Sequence, residues 1–279
     1  MWRRWRVTER LALGGLGLGW RPPIAGFVAG LPGLGFTEVI AESLPAVLDG
    51  PLADLRDRGV PIVPHGVRLS LGGAEEVGAR RVEHLARCAE WLRAPLVSEH
   101  IAFVRGGGME AGHLLPVPRS REALAVLVRN VRRTQAALPV PLALEPIAAL
   151  FGWPEDELTE AEFLTELLER TGVYLLLDVA NVYANAVNAG QDPLGALTSL
   201  PLDRIAYVHV AGGAEHDGIY HDTHAAPVPS AVLELLDAVR GAPVLLERDG
   251  HYPPADELRA ELDAVADAAG LARITGDTR

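Results

Sequence analysis

The sequence predicts an α/β fold, a single-domain (β/α)8 barrel, on three observations. Short apolar runs alternate with longer amphipathic segments, the pattern of strand-helix units around a parallel sheet. About eight such runs can be counted, the number that a closed barrel needs. An acid or a histidine ends six of them: His65 in VPIVPH, His100 in LVSEH, Glu145 in PLALE, Asp178 in VYLLLD, His209 in IAYVH and Glu247 in PVLLE. Their separations of 35, 45, 33, 31 and 38 residues stay near the roughly 30 residues per unit of a ~250-residue barrel, whose strand ends converge on one mouth.

The predicted strands are Leu13–Leu18, in an apolar opening that begins at Leu11, then Phe36–Ala41, Pro61–His65, Pro95–Ser98, Pro141–Glu145, Tyr174–Asp178, Arg204–Val210 and Ala242–Glu247. They lack strict alternation, as expected of strands covered on both faces. Helices are expected over Ala74–Leu92, Ser120–Leu138, Glu160–Thr171, Pro229–Val239 and Pro254–Ala269, where apolar residues recur three and four apart. Thr159 and Glu162 form a capping box ahead of Phe163 and Leu164, and Pro254 stands where a first-turn proline is tolerated. Ala102–Arg119, which contains Gly106-Gly107-Gly108, and Ala211–Pro227 read as long irregular loops over the mouth. Residues 1–10 read as an extension and 11–279 as one catalytic domain, with no linker or internal repeat.

At 279 residues, 49% hydrophobic and 22% charged, the chain can bury one large core. Its net charge of −12 opposes charge-driven binding to nucleic acid or an anionic membrane, which needs a basic footprint. Cys88 is the single cysteine, so no intramolecular disulfide can form and a reducing cytoplasm is expected. Arg3, Arg4 and Arg6 before LALGGLGLG superficially resemble a signal peptide, but WRPP follows where a small-residue cleavage site belongs. The apolar stretch is also short beside the ~20 residues that span a bilayer.

All six strand-end residues are metal-ligand types. A buried cluster of imidazoles and carboxylates would be costly without compensation, since each ion loses hydration and the carboxylates repel. A multivalent cation resolves the conflict, and this ligand mixture suits Fe, Mn, Zn or Co. Asn181, one helical turn after Asp178, and Asp222 with His224, in the long loop after Val210, extend the candidate set to nine. That exceeds the needs of one ion and suggests two or three sharing carboxylates such as Glu145.

Each residue also has a plainer reading. A lone histidine at a strand end is often only hydrogen-bonded, and Glu247-Arg248-Asp249 could be an ion-pair cluster; the pattern alone leaves Asp222 and His224 open. Glu99 should point away from His100 along a strand and play a supporting part. His84 reads as a surface helix residue, and His113, His216, His221 and His251 as solvated loop residues, of which His216 and His221 could touch substrate. Cys88 reads as packing rather than as a catalytic thiol. Gly14, Gly15, Gly17 and Gly19 miss the dinucleotide-binding spacing and read as close-packing positions.

The ordered motifs GLGLGWRPP, PHGVRLSLG, LVSEHIAF, LEP at 144–146, EAEFLTELLERTGVYLLLDVANVYANAVNAGQDP, HVAG, DTHAAPV and LLERDG carry a family resemblance. From about Gly15 to Pro254 the chain resembles the multinuclear non-haem iron-dependent oxidative enzymes, formerly a domain family of unknown function, related to xylose isomerase-like TIM barrels and including the methanobactin biosynthesis oxidase. The resemblance implies a TIM barrel with two or three irons in mixed Fe(II)/Fe(III) states and O2 as co-substrate. His65, His100 and Glu145 would bind one iron; Glu145, Asp178, His209 and Glu247 a second; Asn181, Asp222 and His224 a third. Glu145, His65, His100, Asp178 and His209 would be the catalytic set. Known members oxidise cysteine residues in ribosomally made peptides, forming oxazolone and thioamide groups or excising a cysteine carbon. The resemblance further implies a cysteine-containing precursor peptide as substrate and a separate peptide-recognition protein as partner. The chain departs from the family pattern at Pro146 and Ala180, where Asn is usual, and at Gly213, where His is frequent.

Two other readings compete. A xylose isomerase-like isomerase, epimerase or phosphodiesterase would use a divalent metal without O2, but sugar enediol chemistry usually enlists a lysine, and all 25 basic residues here are arginine. A metal-binding scaffold would show no turnover.

Overall fold

The computed structural model describes residues 11–44 and 49–276; the N-terminal extension assigned to residues 1–10 lies outside them. In chain order the strands are β1 (Leu16–Gly19), β2 (Phe36–Ile40), β3 (Ile62–Gly66), β4 (Val97–His100), β5 (Ala102–Gly106), β6 (Met109–Pro116), β7 (Leu142–Glu145), β8 (Tyr174–Asp178), β9 (Ile205–Val210), β10 (Gly212–His216), β11 (Ile219–Ala226) and β12 (Val244–Leu246). All but β5, β6, β10 and β11 join in a closed parallel barrel, in which β12 returns to pair with β1. Closure removes the unpaired edges that an open sheet would expose.

Strand periodicity builds the site. Phe36, Val63, Leu96, Ala143, Leu176, Tyr207 and Leu245 pack together inside the barrel. Two residues further along each strand, on the same face, stand Glu38, His65, Ser98, Glu145, Asp178, His209 and Glu247, all buried. An apolar layer thus supports a polar one, and His100, two residues beyond Ser98, sits one step nearer the mouth. Register sets the lateral neighbours: His100 pairs beside Glu145, Asp178 beside His209 and His65 beside Ser98.

The helices cover the barrel through a continuous apolar layer. Glu160–Thr171 forms as predicted, with the Thr159–Glu162 capping box at its start and left-handed Gly172 at its end. The helix expected from Ala74 begins only at Ala79, because Glu75 and Glu76 are drawn away to Gly107 N and Arg133. Arg121–Ala137 and Ala255–Ala269 match their expected spans, whereas Pro229–Val239 divides into a helix over Ser230–Leu235 and a 3-10 turn over Leu236–Val239. Four short helices, Ala25–Ala29, Gly50–Asp57, Val179–Asn188 and Pro193–Thr198, are too brief or too alanine-rich to show clear periodicity.

Three further expectations are corrected. The first strand starts at Leu16 rather than at Leu11 or Leu13, after Gly15 takes a left-handed backbone. The fourth extends to His100 rather than stopping at Ser98. The two expected loops over the mouth are antiparallel hairpins, β5–β6 and β10–β11. Their turns, Gly107-Gly108 and Asp217-Gly218, have positive φ at both residues, the geometry that suits two-residue hairpins.

Of the four early glycines, Gly17 is closely packed: a Cβ there would lie 2.8 Å from the Phe36 carbonyl oxygen, whereas Gly14 has nothing within 4 Å. Gly17→Ala should therefore cost about 1–3 kcal/mol of overpacking, read as a lowered thermal midpoint. Cys88 is 1% exposed, and His84 is half-buried with Nε2 2.8 Å from the Ala41 carbonyl oxygen, not a surface residue as expected. Burial and the Glu42 carboxylate push the Cys88 thiol up to about 11. At pH 8 only about a thousandth of it is thiolate, the reactive form. Alkylation of the native protein should therefore be at least about 100-fold slower than after denaturation, and should rise about tenfold per pH unit from 8 to 10.

Candidate metal centre

The mouth holds a cavity of about 310 Å³. Ile40, Val67, Leu114 and Ile147 give it an apolar side; His65, His100, Glu145, Asn181, Asp222, His224, Glu247 and Asp249 give it a polar one. All nine sequence candidates gather here. Asp178 is buried beneath the cavity, with Oδ2 3.6 Å from His224 Nε2, and His209 Nδ1 lies 3.4 Å from Glu145 Oε1.

Five overlapping ligand groups form here, among them Glu38, His209 and Glu247 and also His224, Glu247 and Asp249; three adjoining clusters follow the sequence candidates. His65 Nε2 and His100 Nε2 lie 3.5 and 3.4 Å from the same oxygen, Glu145 Oε2. His209 Nδ1 faces the other Glu145 oxygen and is 3.0 Å from Glu247 Oε2, with Asp178 completing the group. His224 Nε2 meets Asp222 Oδ2 at 2.5 Å and adjoins Asp178 Oδ2. Donor atoms at roughly 2.1 Å from one ion lie about 3.0 to 3.4 Å apart in octahedral or tetrahedral arrangement, so the separations in the first two clusters match shared coordination, whereas His224 Nε2 and Asp222 Oδ2 stand at hydrogen-bond distance. Glu145 joins the first cluster to the second, and Asp178 joins the second to the third.

Local backbone explains how single residues serve two purposes. Asp178 ends β8 and caps the helix Val179–Asn188, its Oδ1 accepting from Ala180 N and Asn181 N. That leaves Oδ2 for the centre. Asn181 donates Nδ2 to the Pro146 carbonyl oxygen, a bond made by the backbone at a position where the family pattern has Asn. His224 has a left-handed backbone, φ 50°, a strained state of the kind that collects at functional sites. At Gly213, a Cβ would lie 2.3 Å from the His221 carbonyl oxygen and 2.6 Å from the Tyr220 ring, so this hairpin leaves no room for a side chain there.

The electrostatics are those of a site built for a cation. Glu145 Oε2, Asp178 Oδ2, Asp222 Oδ1 and His209 Nδ1 are buried without hydrogen-bond partners, an expensive state unless an ion satisfies them. Burial, reinforced by neighbouring carboxylates, raises Glu145 to about 8 and Asp178 to about 6. Burial lowers His65 well below its usual range and His100 to about 4. At His209 and His224 burial acts the same way but is overcome by surrounding carboxylates, which hold both imidazoles well above their usual range. Burial would raise Glu247, yet His224 and His209 keep it well below the carboxylate range.

Three groups outside the nine candidates also converge here, of which only Asp249 had a reading from the sequence, as part of an ion-pair cluster. Arg21, from WRPP, is buried and pairs with Glu247 Oε1 at 2.9 Å and Asp249 Oδ1 at 2.7 Å. Asp249 lies 3.5 Å from His224 Nδ1. Glu38 is fully buried and meets His209 Nε2 at 3.0 Å. Its signal was an acid in the middle of FTEVI, where the inward face should be apolar. Glu99 turns away from the cavity as expected and accepts from Leu69 N. Glu247-Arg248-Asp249 divides its roles, with Arg248 paired outward to Glu261. His113, His216 and His251 are exposed, and neither His216 nor His221 lines the cavity.

Residues 15–270 match the family model of the RiPP precursor modification enzyme MbnB/TglH/ChrH. The chain belongs to this family. Among relatives of this MbnB/TglH/ChrH member, a UPF0276 protein of Streptomyces avermitilis is 56% identical over 263 residues, covering 90% of this chain and 54% of its own length. The chain therefore spans about half of that relative. A UPF0276 protein of Caulobacter vibrioides is 38% identical over 257 residues, 89% of this chain and 92% of its own. Endonuclease IV from Thermus thermophilus shares the fold at TM-score 0.62 and 21% identity, covering 91% of this chain and 99% of that one. The 3-keto-D-glucoside 4-epimerase of E. coli does so at 0.59 and 16%, with the same coverage. Among the described residues of the family member, no helix is long and apolar enough to cross a membrane.

The raised pKa values give metal binding a defined pH dependence. A divalent ion needs Glu145 ionised, and without metal that group holds its proton up to about pH 8. Binding should thus release protons at pH 7, and affinity should climb from pH 6.5 to 8. The metal-free fold changes in the opposite sense. Stability from a group whose folded pKa is raised is present below its unfolded value and is lost as pH rises through the folded one. Heating curves at pH 6.5 and 8.5 should therefore show a lower midpoint for the metal-free protein at 8.5, and a larger gain from added Zn(II) there. An indicator dye in weak buffer would register the released protons.

Proposed function

We propose that this chain is an iron- and O2-dependent oxidase that modifies cysteine in a ribosomally synthesised precursor peptide. The observation that supports it best is the linked arrangement of the three clusters, with imidazole nitrogens and carboxylate oxygens of the first two at coordination spacing around partnerless buried atoms. In this reading His65, His100 and Glu145 hold one ion, Glu145, Asp178, His209 and Glu247 a second, and Asn181, Asp222 and His224 a third. Iron in such a set supplies one-electron chemistry, binding of O2 and ionisation of a coordinated thiol.

The chain's own residues prepare that chemistry. Arg21 offsets part of the negative charge on Glu247 and Asp249. Ile40, Val67, Leu114 and Ile147 shield one side from water and offer an apolar contact to the peptide around its cysteine. The hairpins β5–β6 and β10–β11 flank the entrance and bound the path of an extended segment. A metal held there would ionise a coordinated thiol without a protein base, which fits a mouth whose imidazoles all serve the clusters. A separate chain would present the peptide, and a reducing cytoplasm would keep its cysteine free.

The test is co-expression with a short cysteine-containing peptide encoded beside the gene. Wild type should carry at least two irons per chain by elemental analysis, consume O2 and change the peptide's mass. Glu145→Ala should cut conversion by at least about 100-fold, the upper range for losing even an outer partner of a metal ligand. A protein that turns over as well with Zn(II) alone, or without O2, would refute the oxidase reading.

A further inference from the structure

Beneath the clusters runs a chain of hydrogen bonds that starts at Glu38, a residue that also stands in a possible ligand group with His209 and Glu247. The Tyr207 hydroxyl lies 2.5 Å from Glu38 Oε2 and 2.8 Å from Ser98 Oγ. His65 Nδ1 lies 2.8 Å from Ser98 Oγ, and His209 Nε2 lies 3.0 Å from Glu38 Oε2. All five residues are at most 2% exposed, so the protons must be accounted for within the network.

The accounting has one consistent solution. Glu38 only accepts, so Tyr207 donates its single proton to it, and His209 donates from Nε2. The Tyr207 oxygen then accepts from Ser98, whose own oxygen accepts from His65 Nδ1. Every proton is used once. His65 therefore carries its proton on Nδ1, which leaves its Nε2 bare, and His209 donates from Nε2; the second proton that the surrounding carboxylates keep on His209 Nδ1, 3.0 Å from Glu247 Oε2, is the one that an ion would displace. His65 Nε2 and His209 Nδ1 face the two oxygens of Glu145, at 3.5 and 3.4 Å.

We infer that Glu38, Tyr207 and Ser98 form a buried positioning relay that holds one ring proton of His65 on Nδ1 and one of His209 on Nε2, making the two ion positions that share Glu145 interdependent. The inference rests on reading the mouth as a metal centre. Direct contact cannot replace the relay, because His65 Nδ1 and Glu38 Oε2 are 4.0 Å apart. The relay enters through Glu38, whose charge reaches both histidines, one at first hand and one through two hydroxyl groups. Outer carboxylate partners of this kind orient the ring and raise its basicity toward metal.

The informative variant is Tyr207→Phe, which keeps the edge contact with Phe36, 5.7 Å between ring centres, and removes the hydroxyl alone. Protein labelled with 15N-histidine would be compared for wild type, Tyr207→Phe, Ser98→Ala and Glu38→Gln, metal-free and loaded with Zn(II). Fe(II) affinity would be measured by anaerobic competition with a chromophoric chelator. The His65 ring of metal-free wild type should show the Nδ1–H form, and a mixture in Ser98→Ala and Tyr207→Phe. Glu38→Gln should weaken Fe(II) binding about 10- to 100-fold, and Tyr207→Phe should weaken both of the tighter binding steps rather than one. Wild-type ring shifts and both wild-type affinities in Tyr207→Phe and Ser98→Ala would overturn the relay, even if Glu38→Gln fails to fold. A wild type that binds no metal would instead defeat the metal reading, and the metal-free shifts would still decide the His65 tautomer that the relay sets.

Discussion

Repulsion among buried carboxylates is the constraint on which the rest of this structure depends. Glu38, Glu145, Asp178 and Glu247 are each at most 5% exposed and converge with Asp222 on one end of the barrel. Low dielectric makes such crowding severe. Arg21 and the doubly flanked imidazoles of His209 and His224 offset part of it, but the partnerless oxygens of Glu145 and Asp178 show that they do not offset all. A fold that maintains this arrangement must be held rigid by something other than the site itself.

The closed barrel provides that rigidity. Seven inward apolar or aromatic residues form the supporting layer, and the polar layer follows at a fixed interval of two residues. Backbone hydrogen bonding around the full ring resists any single strand moving toward relief. Helix capping contributes too: Asp178 is pinned by two amides of the helix it starts, so its second oxygen cannot rotate away from its neighbours.

Much of this was legible in the sequence for a physical reason. Barrel strands are covered on both faces, so they read as continuous apolar runs, and His65, Glu145, Asp178, His209 and Glu247 stood out because each interrupts a run at its end. Glu38 and Tyr207 were missed because they lie inside runs, where parity relative to the barrel axis, not polarity, distinguishes a functional residue from a tolerated one. The hairpins were missed because β6 and β11 have no fully buried position and lack alternation. Asp217-Gly218 was the available turn signal. The helix Val179–Asn188 was legible only in its first turn, from Asp178 to Asn181, because alanine and asparagine fill much of the rest.

The placement of Asp222 and His224 has an evolutionary consequence. Two of the clusters are carried by barrel strands and their immediate ends, whereas the third draws two of its three donors from β11, an element at the entrance. Surface hairpins accept insertions and deletions that barrel strands do not. Remodelling of β10–β11 would therefore alter the third cluster while leaving the other two intact, so the shape of the entrance and the donors of the mouth are free to change together only at that corner.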